Sequence, residues 1–169
     1  MEANAFRYPG PLMRARLAWL VVPVALALLA AGCGKSAADE QKAFLSQANK
    51  ICAHFEGLQN QVVVPTLNPI SSKATHLQRA QWGVSIKQLA YLGTQEVKAL
   101  GKLKAPKDLA DEFQALLTTK GGAFASMTQG AQAAERNHVP EIAPPIKASR
   151  NALAQATKQA KALGLKECE

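Results

Sequence analysis

Apolar side chains recur at helical intervals along most of this chain. Phe44, Ala48, Ile51, Phe55, Leu58 and Val62 step by three and four residues, which places them on one face of a helix. Trp82, Ile86, Leu89, Gly93, Val97 and Leu100 form a second stripe. A third runs through Leu109, Phe113, Leu116, Phe124, Met127, Ala131 and Ala134, and a fourth through Ile142, Ile146, Ser149, Leu153, Ala156, Ala160 and Leu163. The residues between the stripes are helix stops and starts. Ser36 stands three residues before Asp39, as an N-cap does before an acidic first turn. "VPTLNPISS" breaks the first helix with two prolines, and the second is expected from about Ser72 to Leu103. Pro106 opens the third helix with Asp108, Asp111 and Glu112 behind it, and "RNHVP" closes it. Gly164 is a natural C′ residue for the fourth. The single β-branched run, Val62–Val64, stops at Pro65. The pattern predicts an all-α fold, an antiparallel four-helix bundle with no internal repeat and no second domain.

One segment stands outside this pattern. Leu17–Gly32, "LAWLVVPVALALLAAG", carries no charge. As a helix it reaches about 24 Å, short of the roughly 30 Å hydrocarbon core of a bilayer. Arg14 and Arg16 precede it, and the small residues Ala30, Ala31 and Gly32 end it, which is the build of a secretory signal. "LAAGC" (Leu29–Cys33) resembles the lipobox of bacterial lipoproteins, with Gly32 before the cysteine and Ala30 in the slot usually held by a large aliphatic residue. The resemblance implies that residues 1–32 are a cleaved signal peptide and that Cys33 becomes a lipidated N-terminus, bearing diacylglycerol and palmitate-type acyl chains. It also implies a location on the extracytoplasmic face of the cell membrane or the outer membrane. Gly34 follows, where aspartate commonly signals retention at the inner membrane in that family. "MEANAFRYPGPL" is an unusual preface to a signal peptide, so residues 1–12 read as a start-site extension, with initiation at Met13.

The cysteine count agrees with this address. Of Cys33, Cys52 and Cys168, the resemblance assigns lipid to the first, and the other two are expected to pair outside the reducing cytosol. Such a bond strains a simple bundle. Cys52 lies well inside helix 1, so either the tail "GLKECE" folds back along that helix or its first turns project beyond the bundle. Regular helix 4 beginning only near Ile146, after Pro144-Pro145, would ease the strain. "ANKICA" and "LGLKEC" are together similar in outline to small exported helical proteins of bacteria that place cysteines at these two ends. That likeness brings no activity with it. The expected organisation is a tether over 33–38, reaching at most roughly 18 Å, and a helical domain over 39–169.

Charge and chemistry narrow the function classes. The formal net charge is +8 for the whole chain and about +6 without the leader. The lysines are scattered over all the helical segments and no basic cluster is interleaved with aromatics, so nucleic acid is not an expected partner. Glu135 and His138 have the Glu-x-x-His spacing of helical di-metal sites, but a second copy is missing, leaving them weak metal candidates and no expected cofactor. No G-x-S-x-G or phosphate loop occurs, and both adjacent acid pairs fall in first turns, where the helix dipole explains them. An enzyme is not expected. Gly121-Gly122 inside the third helix implies a kink, a close helix approach or a cleft, with close approach preferred. A ligand pocket, if formed, is expected near Trp82, Gly121, Gly122 and Phe124. The expectation is a membrane-anchored, non-catalytic binding module with an envelope protein as partner. The alternative is a carrier of a small ligand or metal.

Overall fold

A computed structural model describes residues 36–168 of the chain. Cys33 and the apolar segment before it lie outside the described residues. Within them the fold is all-helical: α1 (Ala37–Gln59), α2 (His76–Leu100), α3 (Ala110–Glu135) and α4 (Ala143–Leu163), joined by short 3-10 turns and one longer connection over residues 60–75. No helix among them is long and apolar enough to cross a membrane.

The helix ends follow local chemistry. Ser36 caps α1 by accepting from the Asp39 amide, so the helix begins two residues before the expected domain boundary. α2 starts later than its apolar pattern suggests. The side chain of Thr75 accepts from the Gln78 amide, and Gln78 Oε1 accepts from the Thr75 amide, a reciprocal box that fixes the start beyond Ser72. The helix ends at Leu100, three residues early. α3 closes on Asn137, which takes a left-handed φ of 59°, while the His138 amide reaches back to the Ala133 carbonyl. Pro144 and Pro145 do not interrupt α4. They occupy its first turn, where an amide N–H has no intrahelical acceptor to lose, and the helix runs from Ala143.

Gly164, at φ 78°, turns the chain out of α4, and the Leu165 amide donates to the Ala160 carbonyl. Leu165 is fully buried, and the turn sends the tail back against α1. There the Glu167 amide donates to Asn49 Oδ1 at 3.0 Å, and Cys168 bonds to Cys52. The tail therefore resolves the strain in the sequence reading. Residues 37–43 of α1 are exposed throughout, and burial begins at Phe44.

Two apolar clusters hold the helices. The first joins Phe44, Ala48 and Cys52 of α1 to Leu100 of α2, Phe113, Leu116 and Leu117 of α3, and Ala156, Ala160 and Leu163 of α4. Phe44 meets Phe113 edge to face, ring centroids 4.9 Å apart. The second joins Trp82 to Ala133, Ala134 and Ile142, with Val64, Leu67, Ile86 and Ile146 packed on it. Between them α2 and α3 come close through small residues. A methyl group added at Gly93 would overlap the Phe124 ring, and one at Gly83 would meet the Ala131 carbonyl.

Gly121 and Gly122 do not serve that purpose. A Cβ at either would meet nothing within 4 Å. The inward positions of α3 around them are Leu117, Lys120, Ala123 and Phe124, which leaves both glycines off the packed face. Close helix approach does not explain them, and neither lines the three clefts described below. Alanine at either position is therefore expected to raise stability by about 0.5–1 kcal/mol through helix propensity alone. Urea unfolding of Gly121→Ala and Gly122→Ala checks this, and a loss of stability would reveal a contact at that face.

Candidate functional site

Three places in the described residues combine reactive, buried or exposed groups in a way that packing alone does not require.

The first surrounds the disulfide. Cys52 and Cys168 are bonded with Cα atoms 5.0 Å apart, and both are buried. Glu96 of α2 projects into the same space. Its carboxylate and the two sulfurs all lie within 4.8 Å of one another. Lys120 of α3 donates to Glu96 Oε1, and both side chains are buried, so the pair is shielded from solvent as well as mutually neutralised. Both sulfurs are consumed by the disulfide, so the cysteines supply no thiolate to a metal in this state. Burial at 2% and 5% exposure also withholds them from soluble thiols, since exchange requires a thiolate to reach a sulfur. Chemically this is a protected staple with a charge pair against it.

Glu135 and His138 take other partners. The Glu135 carboxylate binds Lys87 Nζ at 3.0 Å, and His138 Nδ1 faces Glu141 at 3.6 Å on the exposed α3–α4 turn. Their Glu-x-x-His spacing straddles the end of α3, so the second residue leaves the helical phase that would align it with the first.

The second place is the outward face of α2. Leu77, Val84 and Tyr91 are 68%, 58% and 62% exposed and stand seven residues apart. Gln81, Gln88 and Gln95 fall between them, so the six positions step by four and three along one seam without a charge. Ser85 Oγ donates to the Val63 carbonyl at 2.9 Å, which holds the exposed Val63 next to this helix. Four of the five large apolar side chains that the described residues leave exposed therefore belong to α2 or lie beside it.

The third is a cleft of about 630 Å³ between the 60–75 connection and the start of α4. Leu67, Trp82, Ile142 and Ile146 give it apolar walls, and Lys147 and Arg150 line it from α4. Trp82 lines this cleft, but Gly121 and Gly122, with which it was expected to form a pocket, do not. Phe124 is not part of it: its ring packs over Gly93. The connection that forms one wall is fixed by the buried Arg79, whose Nε donates to the Pro69 carbonyl at 2.9 Å and Nη2 to the Ser71 carbonyl at 2.9 Å. Its Nη1 donates to Asn137 Oδ1 at 2.7 Å, tying this connection to the α3–α4 turn.

Sequence reasoning passed over Glu96, Lys120 and Arg79, and it passed over the outward seam of α2. The seam carried a signal in the seven-residue recurrence of Leu77, Val84 and Tyr91. Compared with family models, curated proteins and solved structures, the chain finds no match.

Proposed function

We propose that the chain is a lipid-anchored, extracytoplasmic helical module that acts by binding an envelope protein rather than by catalysis. The observation that carries this reading is the uncharged seam of α2, Leu77–Val84–Tyr91 with its intervening glutamines. Exposed apolar side chains scattered singly are ordinary, whereas a contiguous stripe at coiled-coil spacing is what a partner helix covers.

The anchoring half of the proposal rests on the sequence before Ser36, where the lipobox-like "LAAGC" ends at Cys33. A disulfide closed in the folded domain is consistent with an oxidising location. The order of contacts supports an antiparallel bundle. Glu96 meets Lys120, Gly93 meets Phe124 and Gly83 meets Ala131, so as α2 is followed backward α3 runs forward. With α1 capped at Ser36, a Cys33 anchor would keep the bundle within a few residues of its membrane, favouring partners that share that surface.

Photocrosslinking in intact cells tests the module. A benzophenone side chain at Val84 is expected to give one discrete adduct, and the same group at Lys158 on α4 to give none. Leu77→Asp should abolish the adduct while changing stability by no more than about 0.5 kcal/mol, because the residue is exposed. No adduct at Val84, or equal labelling from both positions, would remove the reading. An adduct at twice the chain's own mass would assign the face to a second copy.

A second reading, a carrier of a small ligand, is favoured by one observation, the cleft beside Trp82.

A further inference from the structure

We infer that the cleft beside Trp82 takes a single-chain amphipathic anion, an alkyl carboxylate or alkyl phosphate, with its head between Lys147 and Arg150 and its chain along Trp82, Ile142 and Ile146. This inference rests on the carrier reading and gives it a ligand class.

The walls and the rim argue for the two halves of such a molecule. Trp82 and Ile142 belong to the second apolar cluster, and Leu67 and Ile146 pack on it, so the inner surface is an extension of the core. Its volume lies within the roughly 300–1,000 Å³ of small-molecule sites. Lys147 and Arg150 stand three residues apart on α4 and share a helical face. No Asp or Glu lines the cleft, and neither cation has an ion-pair partner among the described residues. α4 also begins here, with Ala143 and Pro144 at the edge and no side chain capping its positive end.

Two other clefts lack this imbalance. The one bordered by the start of α1 and the α2–α3 connection has Glu40 and Asp108 beside Lys104 and Lys107. The one at the α3–α4 turn has Glu141 beside Arg136. An anion is therefore drawn to the Trp82 cleft in particular, and a long apolar chain is needed to cover its walls. Arg79 holds the outer wall at Pro69 and Ser71, so little ordering remains to be done on binding.

Quenching of Trp82 by brominated amphiphiles tests the assignment. The full chain has two tryptophans, so Trp19→Phe leaves Trp82 as the sole reporter. With this chain in dioleoylphosphatidylcholine vesicles, 12-bromododecanoate is expected to quench saturably at one per chain. Its apparent affinity should exceed that of neutral 12-bromododecanol by about tenfold or more, the worth of charge-assisted hydrogen bonds. Lys147→Gln with Arg150→Gln, both exposed and so harmless to folding, should erase that margin. 4-Bromobutyrate, an anion without the chain, should bind at least about tenfold more weakly.

A further arm supplies the same headgroup chemistry from the membrane, as lysophosphatidylglycerol brominated on its acyl chain. Saturable quenching by that lipid makes the bilayer the source, and quenching by the free acid alone makes it the aqueous phase. Either result supports the inference. Equal affinity for the acid and the alcohol would overturn the anionic class while leaving a carrier of neutral amphiphiles. Absence of saturable quenching by every probe would overturn both the inference and the carrier reading.

Discussion

Lys120→Met is expected to destabilise the chain by about 3–5 kcal/mol. The charge on Lys120 is the partner of Glu96, and both groups are buried between α2 and α3. Removing the ammonium leaves a buried carboxylate beside the disulfide with no counter-charge. The folded state must then bear its desolvation, admit water, or take up a proton. Replacing both members, Glu96→Leu with Lys120→Met, should restore most of the loss, because a buried pair returns little beyond the cost of burying it. Urea unfolding of the two singles and the double closes the cycle. A single-mutant cost below about 1 kcal/mol would mean that water reaches the pair.

Loss of the disulfide is the second large effect. Cys52 and Cys168 are separated by 116 positions, so the bond restrains nearly the whole folded domain in the unfolded state. The loop-entropy treatment gives an upper value of about 5 kcal/mol, and natural staples of small domains typically contribute 2–5. Cys52→Ser with Cys168→Ser is expected to lower Tm by roughly 10 °C. The loss should begin in the tail, which is held otherwise by Leu165 and by the bond from the Glu167 amide to Asn49. Hydrogen exchange of residues 164–168 should therefore rise first and most. A uniform rise over all four helices would mean instead that the tail is not an independent unit.

The parts of the fold that depend on neighbours in sequence could be read in advance. Ser36, Gly164 and the cysteine parity each carry their chemistry within a few residues, or in a count. Errors arose where a second helix decides the outcome. Glu96 and Lys120 are ordinary helix residues until α2 and α3 dock, and nothing local marks them as a pair. Glycine shows the same limit from the other side. Gly93 and Gly83 admit a neighbouring helix, whereas the adjacent Gly121 and Gly122 admit nothing, although the pair is the more conspicuous in sequence. The helical phase set by Phe113, Leu116, Leu117 and Phe124 puts Gly122 on the opposite side, but it leaves Gly121 at the edge of the packed face, so for that residue only the docked neighbours decide. For α2 the apolar stripe had the right phase, since Trp82, Gly93 and Leu100 are buried and Ile86 and Val97 pack on the two clusters, but it left unremarked the further apolar residues Leu77, Val84 and Tyr91, which face outward.

The bond between α1 and the tail also decides what a protease can release. Every residue between Cys52 and Cys168 lies within a closed covalent ring, including the exposed connection at Val63, the natural place for a cut. One cleavage there opens the ring into a line but detaches no piece, and both halves stay joined through the sulfurs. A fragment leaves only after a second cut or a reductant that reaches the buried bond. Whatever retains the N-terminal part of this chain thereby retains the whole molecule through a first cut anywhere between Cys52 and Cys168.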